Sequence, residues 1–310
     1  MRDLCLPSIS LRDRVAAAGP DLDIPARTVV WESGEAPVTE LAEVAFWVPG
    51  FLYSDRDAVR ATVTAMPNLA VIQTQSAGVE HFLAARGGQG QLCDARGGHG
   101  SSTSEWALTA MLSVLREFPR FERARQDHRW DYAVTDELAG KRVLIVGAGD
   151  VGEQLARRVT ACDATPVLVA RTARPGVHAI GELPALLPDA DVVVLIVPKT
   201  SETIGLVDAA FLARMSDGAL LVNAARGPVV DTAALLAELQ SGRLRAALDV
   251  VEPEPLPTDH PLWTAPNLLL TPHVGGSVLG FGARVARLIA DQIGRFSAGE
   301  PLANVVEGEY

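Results

Sequence analysis

The sequence predicts an α/β protein made of two doubly wound domains, each a parallel sheet with helices on both faces. Short apolar runs rich in β-branched residues alternate with helix-like segments along most of the chain. This alternation is typical of parallel strands joined by crossover helices. A cluster of glycines follows one of the apolar runs, at 147–152. The length of 310 residues also fits two domains of ordinary size.

The alternation is most regular between Lys141 and His273. Amphipathic helices are predicted at 152–161 and at 231–242, the second beginning at Asp231 as N-cap and ending at Gly242. Between the helices lie six runs without polar alternation, as expected of strands buried on both faces. They are RVLIVG (142–147), TPVLVA (165–170), DVVVLIV (191–197), GALLVNA (218–224), RAALDV (245–250) and NLLLT (267–271).

The first hundred residues show a weaker form of the same pattern. A Gly-rich stretch at 86–102 is interpreted as a boundary loop, and SEWALTAMLSVLREF (104–118) as one long apolar helix leading into the second domain. The candidate elements before the boundary are strands TVVW (28–31), VAFW (44–47) and LAVIQ (69–73), and a helix at 55–66.

The last helix, predicted at 283–296, follows the sixth strand of the second domain and is expected to return to the first. The first domain is therefore predicted to be discontinuous, comprising residues 1–100 and 281–310. The second, residues 101–280, is inserted into it.

Composition limits the classes of function. The chain carries 27 Lys+Arg against 38 Asp+Glu, and Lys141 and Lys199 are its only lysines. A net charge of −11 argues against broad binding to nucleic acid or an anionic membrane. Three widely spaced cysteines suggest neither a disulfide framework nor a zinc site. The polar first residues do not resemble a signal peptide, and no apolar run approaches the ~20 residues of a membrane span, so a cytoplasmic protein is expected.

The glycine cluster has the form GxGxxG, placed directly between a predicted strand and a predicted helix. Such glycines allow a tight turn, close approach of a pyrophosphate and close helix–strand packing, and the helix N-terminus adds N–H donors. Glycines also mark ordinary turns, but here the five further strands favour a dinucleotide site of the Rossmann type. The predicted cofactor contacts are Gly147, Gly149, Asp150, Val151 and Gly152.

The end of the next strand bears on the choice of cofactor. A site that prefers NAD usually has an acidic residue there to bind the ribose 2′-hydroxyl. This chain has Arg171, Thr172 and Arg174 instead. The arginines are either surface cations or a site for a 2′-phosphate. The sequence favours NADP, with NAD as the alternative.

Polar groups at the strand ends supply the candidates for chemistry, because ligands of open α/β sheets bind beyond the carboxyl ends of the strands. Asp249 at a buried strand end is costly unless it is paired. The alternative interpretation of Arg226 is a surface cation before a turn. The alternative for Glu252 and Glu254 is that both are solvated carboxylates in a Pro-rich loop. The expected cofactor contacts along this edge are Pro198, Thr203, Ala224, Ala225, Asp249, Gly275 and Gly276.

NAARGPVVD (223–231), LDVVEPEPLPTDHPLW (248–263) and LTPHVGG (270–276), following GAGDVG (147–152), resemble motifs of the D-isomer-specific 2-hydroxyacid dehydrogenases. The likeness extends from about residue 69 to 305. It implies a Rossmann cofactor domain inserted into a discontinuous, flavodoxin-like substrate domain.

The resemblance also implies roles for residues. Arg226 would anchor the substrate carboxylate and polarise its 2-oxo group, with Glu254 and His273 completing the catalytic set. Asp249 would hold the nicotinamide carboxamide. The segment LAVIQTQSAGVEHF (69–82) resembles the family's substrate loop, so the N–H groups of Ser76, Ala77 and Gly78 would bind the carboxylate.

These roles are chemically coherent. Hydride transfer to a carbonyl carbon leaves negative charge on oxygen, which His273 as imidazolium can neutralise by donating a proton. A carboxylate at Glu254 favours the charged imidazole, and Arg226 can bind a carboxylate in a fork. The predicted activity is NADP-dependent reduction of a small 2-oxoacid such as glyoxylate or hydroxypyruvate.

Two alternatives remain open. The same residues would serve a dehydrogenase of phosphoglycerate or phosphite, although no regulatory domain follows residue 310 as would be expected for the former. A non-catalytic dinucleotide-sensing scaffold is the other. Loops at 47–53 and 73–78 are expected to shape the substrate pocket. Helix 104–118 and Trp130 suggest a homodimer interface, although a helix buried within one chain would look the same.

Overall fold

The computed structural model describes residues 3–19, 28–32, 38–51 and 55–308. The chain divides into two compact units: unit 1 comprises 1–99 and 279–310, and unit 2 comprises 100–278. The limits expected from the sequence differ from these by one residue at the first crossing and two at the second.

Unit 1 is built on a parallel sheet of five strands in the order β2–β1–β3–β4–β5, the flavodoxin-like order. Three of the strands and the second helix were predicted. The strands are β1 (Asp3–Leu6), β2 (Thr28–Val30), β3 (Val44–Trp47), β4 (Val71–Gln73) and β5 (Gln91–Cys93), and the first helices are α1 (Ile9–Ala18), α2 (Arg56–Thr64) and α3 (Glu80–Ala85).

Strand β5 corrects the interpretation of 86–102 as a boundary loop. It pairs in parallel with β4, and the Val306 N–H donates to the Leu92 carbonyl from the other side at 2.8 Å. Three residues among glycines carry no strand pattern of their own, so distant partners decide their conformation. Strand β1 and helix α1 also escaped prediction. β1 is only four residues long, although all four are buried.

Unit 2 is built on a parallel sheet of seven strands in the order β12–β11–β10–β9–β6–β7–β8, so the strand order reverses between β6 and β9. All six predicted strands are present. The seventh, β8, has three half-buried residues at the sheet edge. The strands are β6 (Arg142–Val146), β7 (Thr165–Ala170), β8 (Val177–Ala179), β9 (Val192–Leu195), β10 (Leu220–Asn223), β11 (Arg245–Leu248) and β12 (Leu268–Leu270).

The helix predicted at 104–118 is present, but it ends at Leu115 and the predicted continuation to 118 is wrong. Glu117 adopts a left-handed conformation with φ of 52°, and a new helix begins after it with a proline in its first turn. Proline suits a first turn because it lacks the N–H that would be unpaired there. The helices of unit 2 are α4 (Gly100–Leu115), α5 (Phe118–Gln126), α6 (Asp150–Thr160), α7 (Leu183–Leu186), α8 (Ala209–Leu212) and α9 (Thr232–Gln240); α10 (Phe281–Ala298) belongs to unit 1.

The central strand of unit 2 is covered on both faces. Val143 and Ile145 of β6 pack into one hydrophobic cluster, whereas Leu144 and Val146 pack into another. Because alternate residues of a strand point to opposite faces, both faces must be apolar. This explains why the predicted strands show no polar alternation.

The cysteines have no disulfide partner. Cys5 and Cys93 are buried, and burial raises the pKa of the first thiol to about 12 and of the second to about 11. Within the described ranges no three His, Cys, Asp or Glu side chains are grouped so that they could hold a metal ion. Nor does any helix in those ranges combine the length and the apolar character that a membrane span requires.

Candidate active site

The glycine loop lies at the point where the strand order of unit 2 reverses, directly after β6. Gly147 has φ of 120° and packs on the Ile196 carbonyl that follows β9, so a Cβ would overlap that carbonyl. A Cβ at Gly152 would likewise overlap the Gly147 carbonyl. Two close approaches of backbone to backbone therefore require glycine at these positions.

The middle glycine faces open space. A Cβ built on Gly149 meets no atom within 4 Å. Gly149 is also the N-cap of α6, and a glycine has no side chain to cover the amide groups of the first helical turn. Space and N–H donors at a helix N-terminus fit an anionic group such as a pyrophosphate.

The side chain of Asp150 faces away from this space. Its Oδ1 accepts a hydrogen bond from Gln154 Nε2 at 2.7 Å, and its carboxylate lies against Gly100 at the start of α4. A contact of Asp150 with an anion would therefore use its backbone N–H. Val151 follows in the same turn and is half-buried.

Of the cations after β7, Arg174 is held against the glycine loop. Its Nη2 donates to the Ala148 carbonyl at 2.6 Å and lies 3.8 Å from Glu153 Oε1. Two backbone hydrogen bonds between Arg174 and Val177 form the turn that presents it. Arg171 and Thr172 are exposed beyond the strand end. The edge of β7 thus offers guanidinium groups and a hydroxyl.

Thr203 closes a turn after β9. Its hydroxyl donates to the Pro198 carbonyl at 2.6 Å and accepts from the Thr200 N–H at 2.8 Å. The side chain is buried, so it shapes the backbone after β9. Any cofactor contact at this turn depends on that shape.

The turn after β10 presents Arg226. Asn223 Oδ1 accepts from the Ala225 N–H at 3.0 Å, and Asn223 Nδ2 donates to the Arg226 carbonyl at 3.1 Å. Ala224, next to the buried Asn223, donates its N–H to Leu195 of β9 at 3.1 Å. The part that Asn223 plays in building this turn was not predicted.

The close packing of Gly227 on the loop after β11 places the preceding residue, Arg226, beside that loop. A Cβ on Gly227 would overlap the Val251 carbonyl and would stand 2.7 Å from Glu252 N. The guanidinium of Arg226 is half-buried, and its Nη1 donates to the Ala225 carbonyl at 2.7 Å. Its charge acts on Glu254.

Glu254 and His273 form a hydrogen-bonded pair, with His273 Nδ1 3.0 Å from Glu254 Oε2. The other oxygen of Glu254 accepts from the Val251 N–H at 3.1 Å. Burial favours the neutral acid, but the hydrogen bonds from His273 and Val251 and the charge of Arg226 outweigh it. They lower the pKa of Glu254 from its ordinary value. The carboxylate can therefore hold the imidazole ring through Nδ1, which leaves Nε2 for chemistry.

Asp249 is buried at the end of β11, with 4% of its surface exposed. Its Oδ1 accepts from the Thr271 hydroxyl at 2.6 Å and the Val274 N–H at 2.9 Å, and its Oδ2 from the Gly275 N–H at 2.8 Å. The desolvation cost foreseen from the sequence is thus offset by three donors. Gly276 follows these donors and is half-buried.

Ser76, Ala77 and Gly78 lie in unit 1, in the loop after β4. The Thr74 hydroxyl donates to the Ser76 carbonyl at 2.7 Å, and the Ser76 hydroxyl donates to the Gly78 carbonyl at 2.8 Å. These bonds give the loop a defined backbone. In the other segment expected to shape the pocket, Trp47 is buried in β3 and Tyr53 lies outside the described residues.

Unit 2 by itself brings Arg226, Glu254 and His273 to the carboxyl edge of its sheet, the edge that carries the glycine loop. Two further contributors were missed as site residues: Thr271, which binds Asp249, and Trp106 on α4, whose Nε1 donates to the Thr271 hydroxyl at 3.1 Å. Thr271 ends a predicted strand, so its position was a usable signal. Trp106 is 165 positions away in sequence and gave none.

The chain is similar to known proteins over most of its length. Residues 108–275 match the family described as D-isomer specific 2-hydroxyacid dehydrogenase, NAD binding domain. A D-3-phosphoglycerate dehydrogenase of Archaeoglobus fulgidus is 34% identical over 79% of this chain, which spans 48% of that relative's length. A glyoxylate reductase of Thermofilum pendens is 34% identical over 76% of this chain and 77% of its own.

Two solved structures are similar over nearly the whole chain. A D-isomer specific 2-hydroxyacid dehydrogenase from Xanthobacter autotrophicus, in complex with NADPH and MES, has a TM-score of 0.83 and 31% identity, with 99% of this chain and 98% of that chain covered. An NADPH-dependent glyoxylate/hydroxypyruvate reductase from Sinorhizobium meliloti, in complex with NADP and sulfate, has a TM-score of 0.82, 28% identity and full coverage of both chains. With its two parallel sheets and this family match, the chain belongs to the D-isomer-specific 2-hydroxyacid dehydrogenases.

Proposed function

We propose that this protein is an NADP(H)-dependent reductase of a small 2-oxoacid, with glyoxylate and hydroxypyruvate as the favoured substrates. The observation that carries the proposal is the hydrogen-bonded pair Glu254–His273 beside Arg226, at the edge where the glycine loop opens. A proton donor and a fork-shaped cation are the two groups that carbonyl reduction of a carboxylate substrate needs.

The loop residues fit a dinucleotide. Gly149 leaves room, the first turn of α6 offers N–H groups, and Arg171 with Thr172 supplies groups for a 2′-phosphate. The Sinorhizobium and Xanthobacter relatives, crystallised with NADP and NADPH, support the same preference. When bound, the reduced cofactor supplies the hydride.

The chain's own residues would supply binding, charge and a proton. Arg226 would bind the substrate carboxylate and place positive charge beside the carbonyl oxygen as negative charge develops there. His273, held through Nδ1 by Glu254, would donate a proton from Nε2 to that oxygen. In the reverse direction neutral His273 would accept the hydroxyl proton.

A second substrate class is supported by one observation, the 34% identity to the Archaeoglobus D-3-phosphoglycerate dehydrogenase. The same catalytic residues would act on the 2-hydroxyl group of phosphoglycerate. Phosphite and a non-catalytic scaffold role have no such support beyond the sequence argument. All three alternatives are separated by the assay below.

We also propose that the protein is a cytoplasmic homodimer. The segment after α5 exposes three large apolar side chains: Trp130 is 97%, Tyr132 84% and Val134 87% exposed. Asp131 within it forms a two-point ion pair with Arg120, so the segment has a fixed shape. A shaped apolar surface of this kind is typical of an interface between subunits.

The test is one panel of 2-oxoacids, phosphoglycerate and phosphite, each assayed with NADPH or NADH and with NADP or NAD. The expected result is oxidation of NADPH with glyoxylate or hydroxypyruvate, and a fall in kcat/KM of about a thousandfold in Arg226→Ala. Arg214→Ala, at an exposed position on the C-terminal side of α8, is the matched control and should retain activity. Absence of turnover across the whole panel would refute the proposal.

A further inference from the structure

Three side chains from distant parts of unit 2 form a chain of hydrogen bonds, here named the Trp106 relay (Trp106, Thr271 and Asp249). Trp106 Nε1 donates to the Thr271 hydroxyl at 3.1 Å, and that hydroxyl donates to Asp249 Oδ1 at 2.6 Å. An indole N–H can only donate, so the hydroxyl must accept from Trp106 and turn its own proton toward Asp249. The direction of the relay is therefore determined.

The far end of the relay holds the turn that carries His273. The Asp249 carboxylate accepts the N–H groups of Val274 and Gly275, the two residues after the histidine. The backbone carbonyl of Asp249 accepts the His273 N–H at 2.7 Å. Three consecutive amides thus donate to Asp249, and the first of them is shared with the Thr271 carbonyl at 3.1 Å.

The turn needs such an anchor because His273 itself has φ of 53°, in the left-handed region. A non-glycine residue in that region costs free energy and persists only where its surroundings impose it. The hydrogen bonds that the N–H groups of 273–275 donate to Asp249 impose this conformation here. The direction of the imidazole therefore depends on the position of Asp249.

The near end of the relay is fixed by packing. Trp106 lies on the sixteen-residue helix α4, and its ring packs against the hydrophobic cluster on one face of the unit 2 sheet. A Cβ on Gly275 would stand 3.4 Å from Trp106 Cγ, so the indole also borders the turn directly. The helix thus acts as a rigid support.

We infer that Trp106 and Thr271 are positioning residues for His273, acting through Asp249. Neither has a described contact with the imidazole, so their effect would be on its placement. The inference rests on the proposed function, because it assigns them to the same reaction. Loss of the relay should lower kcat more than it raises KM for the oxoacid, because carboxylate binding by Arg226 does not use the relay.

The test uses variants that remove one hydrogen-bonding group and keep an apolar side chain in its place. Thr271→Val removes the hydroxyl, and kcat with glyoxylate and NADPH should fall about tenfold, with KM changed less than twofold. Trp106→Phe should lower kcat roughly threefold. Thr271→Ser keeps the hydroxyl and should recover most of the activity lost in Thr271→Val. Once the hydroxyl is absent, adding Trp106→Phe should lower kcat no further, because the two residues act in one chain.

The matched control is Trp263→Phe. Trp263 Nε1 donates to the Pro257 carbonyl at 2.8 Å, so this variant also removes an indole hydrogen bond, but outside the relay. Its kcat should match that of the unchanged protein. Equal losses in Trp106→Phe and Trp263→Phe would overturn the inference, as would a lowered Tm without a lowered kcat in Thr271→Val.

A second readout does not depend on activity. Hydrogen exchange of the amides of Val274 and Gly275 should be at least tenfold faster in Thr271→Val than in Thr271→Ser. If the unchanged protein turned over no oxoacid, the proposed function would fail, but faster exchange would still support the anchoring role. Unchanged exchange in Thr271→Val would overturn the relay itself.

Discussion

Replacement of Gly227 by alanine tests how Arg226 is placed beside Glu254. The backbone of Gly227 packs directly on the loop after β11, where an added Cβ would overlap the Val251 carbonyl. It would also stand 2.7 Å from Glu252 N, about 0.7 Å inside the 3.4 Å at which ordinary contact begins. Because both partners are backbone atoms, no side chain can turn away to relieve the overlap, and the two loops must separate.

The expected magnitude follows from that displacement. Misplacement of catalytic groups by about 1 Å costs on the order of a hundredfold in rate, so kcat/KM of Gly227→Ala should fall by about that factor. The free energy of unfolding should fall by about 2–3 kcal/mol, the upper range for a single substitution that creates overlap. Initial rates with glyoxylate and NADPH measure the first, and urea unfolding followed by tryptophan fluorescence the second.

Gly181→Ala is the matched control. A Cβ at Gly181 meets no atom within 4 Å, so the same chemical change should leave the rate unaltered and should not lower the free energy of unfolding. The reasoning is refuted if Gly227→Ala retains the kcat/KM and the unfolding free energy of the unchanged protein. A loss of stability without loss of kcat/KM would show that the contact supports the fold but does not position Arg226.

Three further predictions concern charge, cofactor and assembly. In His273→Gln the pKa of Glu254 should rise, because the contact with His273 no longer opposes the effect of burial. The ionised Glu254 stabilises the fold above pH 4.5, and this contribution, which is lost as the pH falls, should become smaller in the variant. Carboxyl NMR titration measures this, with Glu182 as a control whose pKa should stay low. Arg171→Ala should raise KM for NADPH at least tenfold and leave KM for NADH unchanged, since a charge-assisted contact with the 2′-phosphate contributes about 1.5–3 kcal/mol. Equal effects on the two cofactors would contradict this prediction. Trp130→Ser should weaken the proposed dimer about thirtyfold as measured by sedimentation, which corresponds to a loss of about 2 kcal/mol, and an unchanged dissociation constant would exclude this surface as the interface.

Long buried strands and motif-bearing turns were predictable because their signals are local. The runs at 142–147 and 191–197 are apolar at every position that the sheet buries on either face, and both became strands. The contacts that require glycine in GxGxxG are nearly all local. A Cβ at Gly152 would overlap the carbonyl of Gly147 in the same turn, and a Cβ at Gly147 would overlap the carbonyl of Ile196, which follows the neighbouring strand β9. A single stretch of sequence carries that information.

Short elements and breaks were not predictable in this way. β5 and β8 are three residues each, and their strand conformation depends on pairing with β4 and β7. The break between α4 and α5 falls at Glu117, inside a run whose composition favours one helix. For the two strands, tertiary pairing outweighs weak local preferences. The helix break lies two residues before Pro119, which cannot continue the hydrogen bonds of α4 because it has no N–H.

By itself the sequence determined the α/β class and the glycine loop, because periodicity and turn chemistry are properties of neighbouring residues. The candidate catalytic residues followed from the resemblance of short motifs to those of a known family. Only the tertiary structure decided which groups serve as supports. Asp249 binds Thr271 across 22 positions and Thr271 binds Trp106 across 165. Hydrogen bonds over such separations form only after the sheet has brought the strand ends and α4 together, so no local pattern encodes them.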